Sequence, residues 1–281
     1  MGEGLLYLVV YLQIAMPRDI RVVDSITQPD DSEGTVVVAG SHGGISSGRY
    51  AAQLGLTGIL FNDAGVGKDE AGIQSLSYLD DLGLPTATVD NQSARIGDGL
   101  SMVEGGVVSH INDVAADCGC EVGQSALECA AAMSDAERDP VRADVGNEMT
   151  QEMVHDGDTP VWTLDSIGLI SDQQEGAITV TGSHGERLAG EFDSYIQADV
   201  AGITLFDAGV GKDDAGIGRL KTMNERGIPA ATVDVESARI GDSQSALEEG
   251  VLSHINDVAA ELGISSGDSC SSFVERVREA Q

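Results

Sequence analysis

Two copies of one sequence segment follow each other in this chain, and that repetition constrains the fold more than any other feature. Residues 62–73 read Asn-Asp-Ala-Gly-Val-Gly-Lys-Asp-Glu-Ala-Gly-Ile, and residues 206–217 repeat them almost letter for letter. Shorter matches surround this pair: 40–43 with 182–185, 85–90 with 229–234, 93–98 with 237–242, and 109–113 with 253–257. From Asp63 onward the spacing between the copies is constant, so neither has gained or lost a residue there. We interpret the chain as a tandem duplication.

A chain of 281 residues suits two ordinary domains. We expect an α/β fold in which each copy is a three-layer module with a mostly parallel sheet, the two being related by an approximate two-fold axis. The expected divisions are an N-terminal extension over 1–15, a first repeat over 16–130, an acidic linker over 131–158 and a second repeat over 159–281. Met16-Pro17-Arg18 begins where the repeat begins, which suggests a mis-called upstream start. The ancestor of such a duplication would be a homodimer, and a homo-oligomer remains compatible with it.

Apolar runs rich in β-branched residues predict four strands in each copy, separated by helices. In the first copy these runs are 21–26, 35–39, 57–61 and 85–89; in the second they are 161–167, 177–181, 202–206 and 229–233. Ser-x-x-Glu patterns at Ser101 and Ser245 predict the start of a helix after the fourth strand. That helix would carry His110 and His254 away from the ligand edge, where a structural or inter-repeat role is favoured.

The composition is strongly acidic. The chain has 47 Asp and Glu against 15 Lys and Arg, a formal net charge of −32, and only three lysines. This pattern is typical of proteins dissolved in concentrated salt, so we infer a high-salt cytoplasm. Such a surface excludes nucleic acid as a partner, and the apolar run 5–12 is too short to span a membrane. The four cysteines predict free thiols in a reducing compartment, since Cys118-Gly-Cys120 alone is weak evidence for a metal.

The charge gives a first testable prediction, namely that the melting temperature rises with salt. Repulsion between carboxylates acts over about 10 Å at 0.1 M salt but only about 3 Å at 1 M. Thermal melts from low to molar KCl measure the effect on this chain of net charge −32. A melting temperature that does not change with KCl would contradict the high-salt inference.

Three matched loops should meet at the carboxyl edge of the sheets, where open parallel sheets bind ligands: 40–44, 63–72 and 90–99. The glycine-rich turn 40–44 would aim backbone N–H groups at an anion. His42 and His184 stand at its tip as candidate general acids or bases, and the alternative is a histidine packed against neighbouring backbone. The substrate-binding candidates beside them are Ser41, Gly43, Ser183 and Gly185.

Charged residues in the other two loops complete the candidate site. Asp63 and Asp207 could orient the histidines, hold a divalent cation or cap a helix. Two of the three lysines, Lys68 and Lys212, occupy one repeated position, which favours contact with an anion; a local pair with Asp69 is the alternative. Arg95 and Arg239 could grip a carboxylate or phosphate, or close a loop by pairing with the acid three residues later. The phosphate-loop pattern fails, because position 62 is Asn and Lys68 precedes Asp69.

These residues predict an enzyme that acts on a small anionic metabolite, bearing a carboxylate or phosphate, by hydrolysis or lyase-type acid–base chemistry. The alternative is a non-catalytic small-anion binding or sensor module that uses the same loops. The sequence leaves the cofactor open: the aspartates are compatible with a divalent metal, and the chain has no Gly-x-Gly-x-x-Gly dinucleotide fingerprint.

Overall fold

The first half of the chain, residues 19–144, forms a five-stranded, mostly parallel sheet. A computed structural model describes residues 19–28, 31–144, 149–187, 196 and 198–281. The predicted extension 1–15 and the start of the repeat at Met16 lie outside these residues. The strands lie in the order β1 to β5, and only β5 runs antiparallel to its neighbour. They are β1 Ile20–Val23, β2 Val36–His42, β3 Gly58–Asn62, β4 Thr86–Val89 and β5 Val108–Ile111.

The second half, residues 149–281, forms a six-stranded sheet in the order β11-β10-β9-β8-β7-β6. Its inner strands β7 to β10 are parallel, while β6 and β11 are antiparallel to their neighbours. The strands are β6 Gln151–His155, β7 Val161–Leu164, β8 Ile178–His184, β9 Gly202–Phe206, β10 Ala230–Val233 and β11 Leu252–Ile255. Two sheets of mostly parallel strands confirm the predicted α/β class.

Helices connect these strands. Those of the first half are α1 Ile45–Ala52, α2 Ser75–Asp81, α3 Gly99–Gly105, α4 Asp113–Asp117 and α5 Ala126–Asp135. Those of the second half are α6 Arg219–Glu225, α7 Ser243–Glu249, α8 Asp257–Glu261 and α9 Cys270–Glu279. The 3₁₀ segments are Lys68–Ile73, Ile167–Leu169, Asp172–Gln174 and Lys212–Ile217. Among the described residues, no helix is both long and apolar enough to cross a membrane.

Strand β2 shows why the parallel strands read as continuous apolar runs. Val36 and Val38 pack with side chains of α3 and α5, whereas Val37 and Ala39 pack with side chains of α1 and α2. Successive residues of a strand point to opposite faces, so a sheet covered by helices on both faces needs apolar residues at every position. All four side chains are fully buried.

The prediction of one helix that starts at Ser101 and carries His110 is wrong. The cap lies three residues earlier, because the Asp98 side chain accepts a hydrogen bond from the Ser101 backbone N–H. Helix α3 then ends at Gly105, and the chain enters β5 before the short helix α4. The second half repeats this order with Asp242 as the cap of α7. His110 and His254 therefore lie on the antiparallel strands β5 and β11 and not on helices.

The segment predicted as a linker, 131–158, contains regular structure at both of its ends. Helix α5 continues to Asp135, and Gln151–His155 forms β6. Strand β6 pairs antiparallel with β7 and so extends the second sheet by one strand beyond the first. Residues 145–148 lie outside the described residues.

Candidate functional site

His42 and His184 end the matching strands β2 and β8 and line one shared cavity between the two halves. The cavity has a volume of about 70 Å³. Both histidines belong to the Gly-Ser-His-Gly segments, whose first three residues continue the strands where a turn was predicted, so that the histidines lie at the carboxyl ends of parallel strands. The sequence predicted that the histidines lie at this edge of each sheet, and in the structure the edges of the two halves contribute to one cavity.

The hydrogen bonds of the two rings fix which nitrogen carries the proton. The backbone N–H of Gly44 donates to His42 Nδ1 at 3.1 Å, and that of Glu186 donates to His184 Nδ1 at 3.3 Å. A ring nitrogen that accepts a hydrogen bond has no proton, so the neutral rings carry it on Nε2. Within the described part of the chain, no protein group is hydrogen-bonded to either Nε2 atom.

Each ring also lies against a glycine of the opposite half. A Cβ atom at Gly241 would be 3.2 Å from His42 Cε1, and one at Gly97 would be 3.1 Å from His184 Cε1. Both glycines have a positive φ, 88° and 75°, which other residues adopt only at a cost. The matched Ala-Arg-Ile-Gly-Asp loops therefore allow each histidine to approach the other half closely.

Burial keeps both imidazoles neutral. It lowers the pKa of His42 from 6.5 to about 4. For His184 burial is again the main cause, and positive charge on His42 and Arg219 adds to it, so that the pKa falls to about 3. At neutral pH the cavity thus contains two uncharged rings that can donate from Nε2.

Hydroxyl-bearing residues make up much of the remaining lining. Ser41 Oγ accepts a hydrogen bond from the backbone N–H of Ile26 at 3.0 Å, and Ser183 Oγ accepts one from Ile167 at 2.9 Å. Each of these hydroxyls keeps its own proton for donation. Further hydroxyl-bearing residues line the cavity: Ser25, Thr27, Ser46, Ser47, Tyr50 and Ser166.

A larger groove of about 320 Å³ adjoins the cavity and shares Ser46, Met149 and Asp165 with it. Arg49 lies in its wall beside the Gly241–Asp242 turn. Inside the smaller cavity the charged lining residues are Asp165 and Arg219. Asp165 is already engaged, since its two oxygens accept hydrogen bonds from Thr150 and Ser243.

Asp63 and Asp207 support their own loops. Asp63 Oδ1 accepts hydrogen bonds from the backbone N–H groups of Gly65 and Asn91, both at 3.0 Å. Asp207 Oδ1 is bonded in the same way by Gly209 and Val235. Burial raises the pKa of both carboxyl groups, and these hydrogen bonds oppose the rise. Among the described residues neither carboxylate bonds to His42 or His184, so the predicted orientation of the rings by aspartate is not seen.

Lys68 and Lys212 join the two halves. Lys68 Nζ donates to the carbonyl oxygen of Ser237 at 3.0 Å and forms an ion pair with Glu249 at 3.3 Å. Lys212 Nζ donates to the carbonyl oxygen of Ser93 at 3.0 Å. Neither lysine lines the histidine cavity. The lysines that the sequence singled out for an anion therefore contact the backbone of the opposite half.

Arg95 and Arg239 also form ion pairs with residues of the opposite half. Arg95 forms an ion pair with Glu186 at 2.8 Å, and Arg239 forms one with Asp69 at 3.2 Å. Among the described residues the alternative local pairing is seen in the second copy only, where Arg239 contacts Asp242 at 3.3 Å. Asp98 and Asp242 both cap the helix that follows.

The remaining predicted site residues, Gly43 and Gly185, serve close packing of the turn. A Cβ atom at Gly43 would be 2.7 Å from the Gly72 carbonyl oxygen, and one at Gly185 would be 2.3 Å from that of Gly216. Neither glycine lines the histidine cavity. Only glycine can occupy positions where backbone approaches backbone this closely.

Glu186 is a residue of this region that the sequence reading missed. It directly follows the second Gly-Ser-His-Gly turn, at the place where the first copy has Gly44. Its carboxylate is almost entirely buried and accepts from Arg95 at 2.8 Å. Burial raises its pKa, and the charge of Arg95 opposes the rise. The sequence did contain a signal for it: the two copies match at the preceding four residues but differ here, with Gly44 in the first and Glu186 in the second.

The site thus brings two neutral imidazoles and several hydroxyl-bearing residues to one cavity, an arrangement suited to an oxygen that carries negative charge. Among the described residues, no group of three or more His, Cys, Asp or Glu is arranged to hold a metal ion. No protein-family model matches this chain, and neither does any curated protein or solved structure.

Proposed function

We propose that the two halves descend from one duplicated module and are related by an approximate two-fold axis. Reciprocal contacts support this, in addition to the repeated sequence and the repeated strand order. The backbone N–H of Lys68 donates to the Val235 carbonyl at 2.9 Å, and that of Lys212 donates to the Asn91 carbonyl at 2.8 Å. Lys68 matches Lys212, and Asn91 matches Val235. An isologous contact, in which each residue meets the counterpart of its own partner, is what a two-fold axis generates.

We further propose that the cavity binds a small anionic metabolite, one with a carboxylate or phosphate group, and that the chain is an enzyme acting on it. The observation that carries this proposal is the pair of neutral histidines whose Nδ1 atoms are occupied by backbone N–H groups. A fixed backbone bond holds each ring still, and preorganised donors cost little reorganisation when they bind an oxyanion.

The geometry changes the chemical role that fits these histidines best. A general base would have to take a proton on Nδ1, which already accepts a hydrogen bond, and pKa values of about 4 and 3 disfavour protonation. Donation from Nε2 requires neither step. Hydrolysis and lyase chemistry both develop negative charge on oxygen, in a tetrahedral intermediate or an enolate, so the same donors serve either reaction.

A non-catalytic binding or sensor module is the second candidate. The low pKa values of both rings favour it, because a site without a proton-transferring histidine can hold an anion without converting it. Incubation of the bound compound with the protein, followed by NMR, separates the two: new signals indicate turnover, and unchanged signals indicate binding alone.

In either case we propose a salt-rich cytoplasm, from the net charge of −32.

The test replaces each cavity histidine with asparagine. In His42→Asn and His184→Asn the amide oxygen can still accept the backbone N–H bond, while the Nε2–H donor disappears. We expect affinity for the bound anion to fall about 10- to 100-fold, since a hydrogen bond to a charged group contributes about 1.5–3 kcal/mol. Titrations with small carboxylates and inorganic phosphate, followed in ¹H–¹⁵N spectra of the histidine rings, measure it.

The matched control is His110→Asn, on β5 and outside the cavity. This variant should bind like the unaltered protein. Equal affinity in His42→Asn, His184→Asn and the control would contradict the proposed site. Melting curves of all three variants exclude a general loss of structure as the cause of weaker binding.

A further inference from the structure

Three of the four cysteines lie together at one corner of the first half. Cys118 directly follows helix α4, Cys120 comes two residues later, and Cys129 lies in α5. Cys120 and Cys129 are buried, whereas Cys118 is partly exposed. All are free thiols in this structure.

The sulfur atoms of Cys120 and Cys129 are 2.8 Å apart. Unbonded heavy atoms of similar size rest at about 3.5–4.0 Å, and a disulfide bond is about 2.05 Å long. The two side chains thus point directly at each other, and the chain segments that carry them already stand close enough for a covalent bond. Cys120 Sγ also lies 3.4 Å from the Cys129 carbonyl oxygen, which keeps the two segments in contact.

The second half shows that the fold does not need sulfur at this corner. Ile264 and Phe273 occupy the positions that match Cys120 and Cys129, and both are buried in the core. Leu262 stands where the first half has Cys118. Apolar side chains fill the same space, so packing alone does not explain why the first half places three thiols there.

We propose that Cys120 and Cys129 form a reversible disulfide and that Cys118 is the thiol through which oxidation enters. The oxidant is a small-molecule disulfide, R–S–S–R. The overall reaction consumes R–S–S–R and two protein thiols, and it yields two R–SH and one Cys120–Cys129 bond. The oxidised state would link α5 covalently to the segment after α4.

Each step is a thiolate attack on a disulfide sulfur. The Cys118 thiolate attacks R–S–S–R, forms a mixed disulfide and releases the first R–S⁻. The Cys120 thiolate then attacks Cys118 Sγ and releases the second R–S⁻. Finally the Cys129 thiolate attacks Cys120 Sγ, which forms the buried bond and returns Cys118 as a thiolate.

Exposure assigns the entry step to Cys118, because Cys129 is fully buried and a reagent in solution cannot reach it. Burial raises the pKa of the Cys118 thiol, and the guanidinium of Arg138 beside the sulfur opposes that rise. The pKa of Cys118 is raised on balance, so its role as the entry thiol rests on its exposure.

The test incubates the reduced, folded protein with oxidised glutathione, then unfolds it in an alkylating reagent and counts the added groups by mass. We expect two alkyl groups in place of the four that the reduced chain accepts, and a peptide map that joins Cys120 to Cys129. The variant Cys118→Ser should reach the same link at least about tenfold more slowly, since oxidation must then begin at a buried thiol.

The control variant is Cys270→Ser, which removes the buried cysteine of the second half and should change neither the rate nor the link. Four alkylated cysteines after prolonged exposure to oxidised glutathione would overturn the proposal. A map that joins Cys118 to either partner as the final product would also overturn it. An unchanged oxidation rate in Cys118→Ser would remove Cys118 as the entry thiol.

Discussion

Alanine in place of Gly67 is expected to lower the free energy of unfolding by about 2–6 kcal/mol. Gly67 has φ of 68° and ψ of −170°, a backbone region that is essentially restricted to glycine and costs another residue about 1–3 kcal/mol. The added Cβ atom would also lie 2.7 Å from the Val235 carbonyl oxygen, in the opposite half. Since backbone cannot move aside as a side-chain end can, this clash adds about 1–3 kcal/mol.

Gly83→Ala is the matched control. Gly83 has φ of 77°, but no atom lies within 4 Å of the position its Cβ would take. We expect the free energy of unfolding of this variant to fall only by the cost of placing alanine at positive φ, about 1–2 kcal/mol. Urea or guanidinium unfolding curves of both variants measure the difference. Equal losses would mean that the 65–67 loop does not press against Val235 in solution.

Acidification from pH 7 to pH 4 is expected to remove about 3 kcal/mol of stability through His42 alone. Its pKa falls from 6.5 in the unfolded chain to about 4 in the fold, and each pKa unit corresponds to about 1.4 kcal/mol. Below pH 6.5 the unfolded chain binds a proton that the folded chain does not, so unfolding becomes easier as pH falls. His184, with a pKa of about 3, acts in the same direction.

Buried carboxyl groups act in the opposite direction. Burial raises the pKa of Asp63, Asp207 and Glu186 in the fold, so the stability linked to their protonation grows as pH falls. Comparison of the unaltered protein with the double variant His42→Asn, His184→Asn isolates the histidines, because asparagine does not titrate in this range. The loss of stability between pH 7 and pH 4 should be several kcal/mol smaller in the variant. The same pH dependence in both proteins would contradict burial of neutral rings.

The sequence predicted the core strands well because their signal is local. Strand β3 reads Gly-Ile-Leu-Phe-Asn and is buried throughout, as the apolar run indicated. Strand β5 was missed because it is only four residues long and its last three are only partly buried. The helix before it was placed too late, since Asp98 and Ser101 both suit a helix cap and only the fold decides between them.

For the site, the sequence predicted the position of single residues but not the contacts between the two halves. The turn that ends in His42 could be placed at the carboxyl edge of a sheet from local pattern alone. The sequence could not show that His42 and His184 line the same cavity, because this depends on how closely the two halves approach each other at Gly97 and Gly241. The lysines showed the same difficulty: a rare charge at a repeated position indicated a role, but the sequence could not show that each ammonium group contacts the backbone of the opposite half.

The Gly44–Glu186 difference has a consequence for how a guest molecule would lie. Two identical subunits related by a two-fold axis must place the same residue beside both histidines, so a bound molecule could be turned end for end at no cost. One chain that encodes both halves is free of this requirement. Here the His42 end has a glycine, whereas the His184 end has a buried carboxylate held by Arg95. The cavity wall beside them is also unlike at its two ends, because among the described residues the second half contributes Asp165 and Arg219 to it and the first half contributes no charged residue. We therefore expect a molecule in the cavity to bind in a single direction.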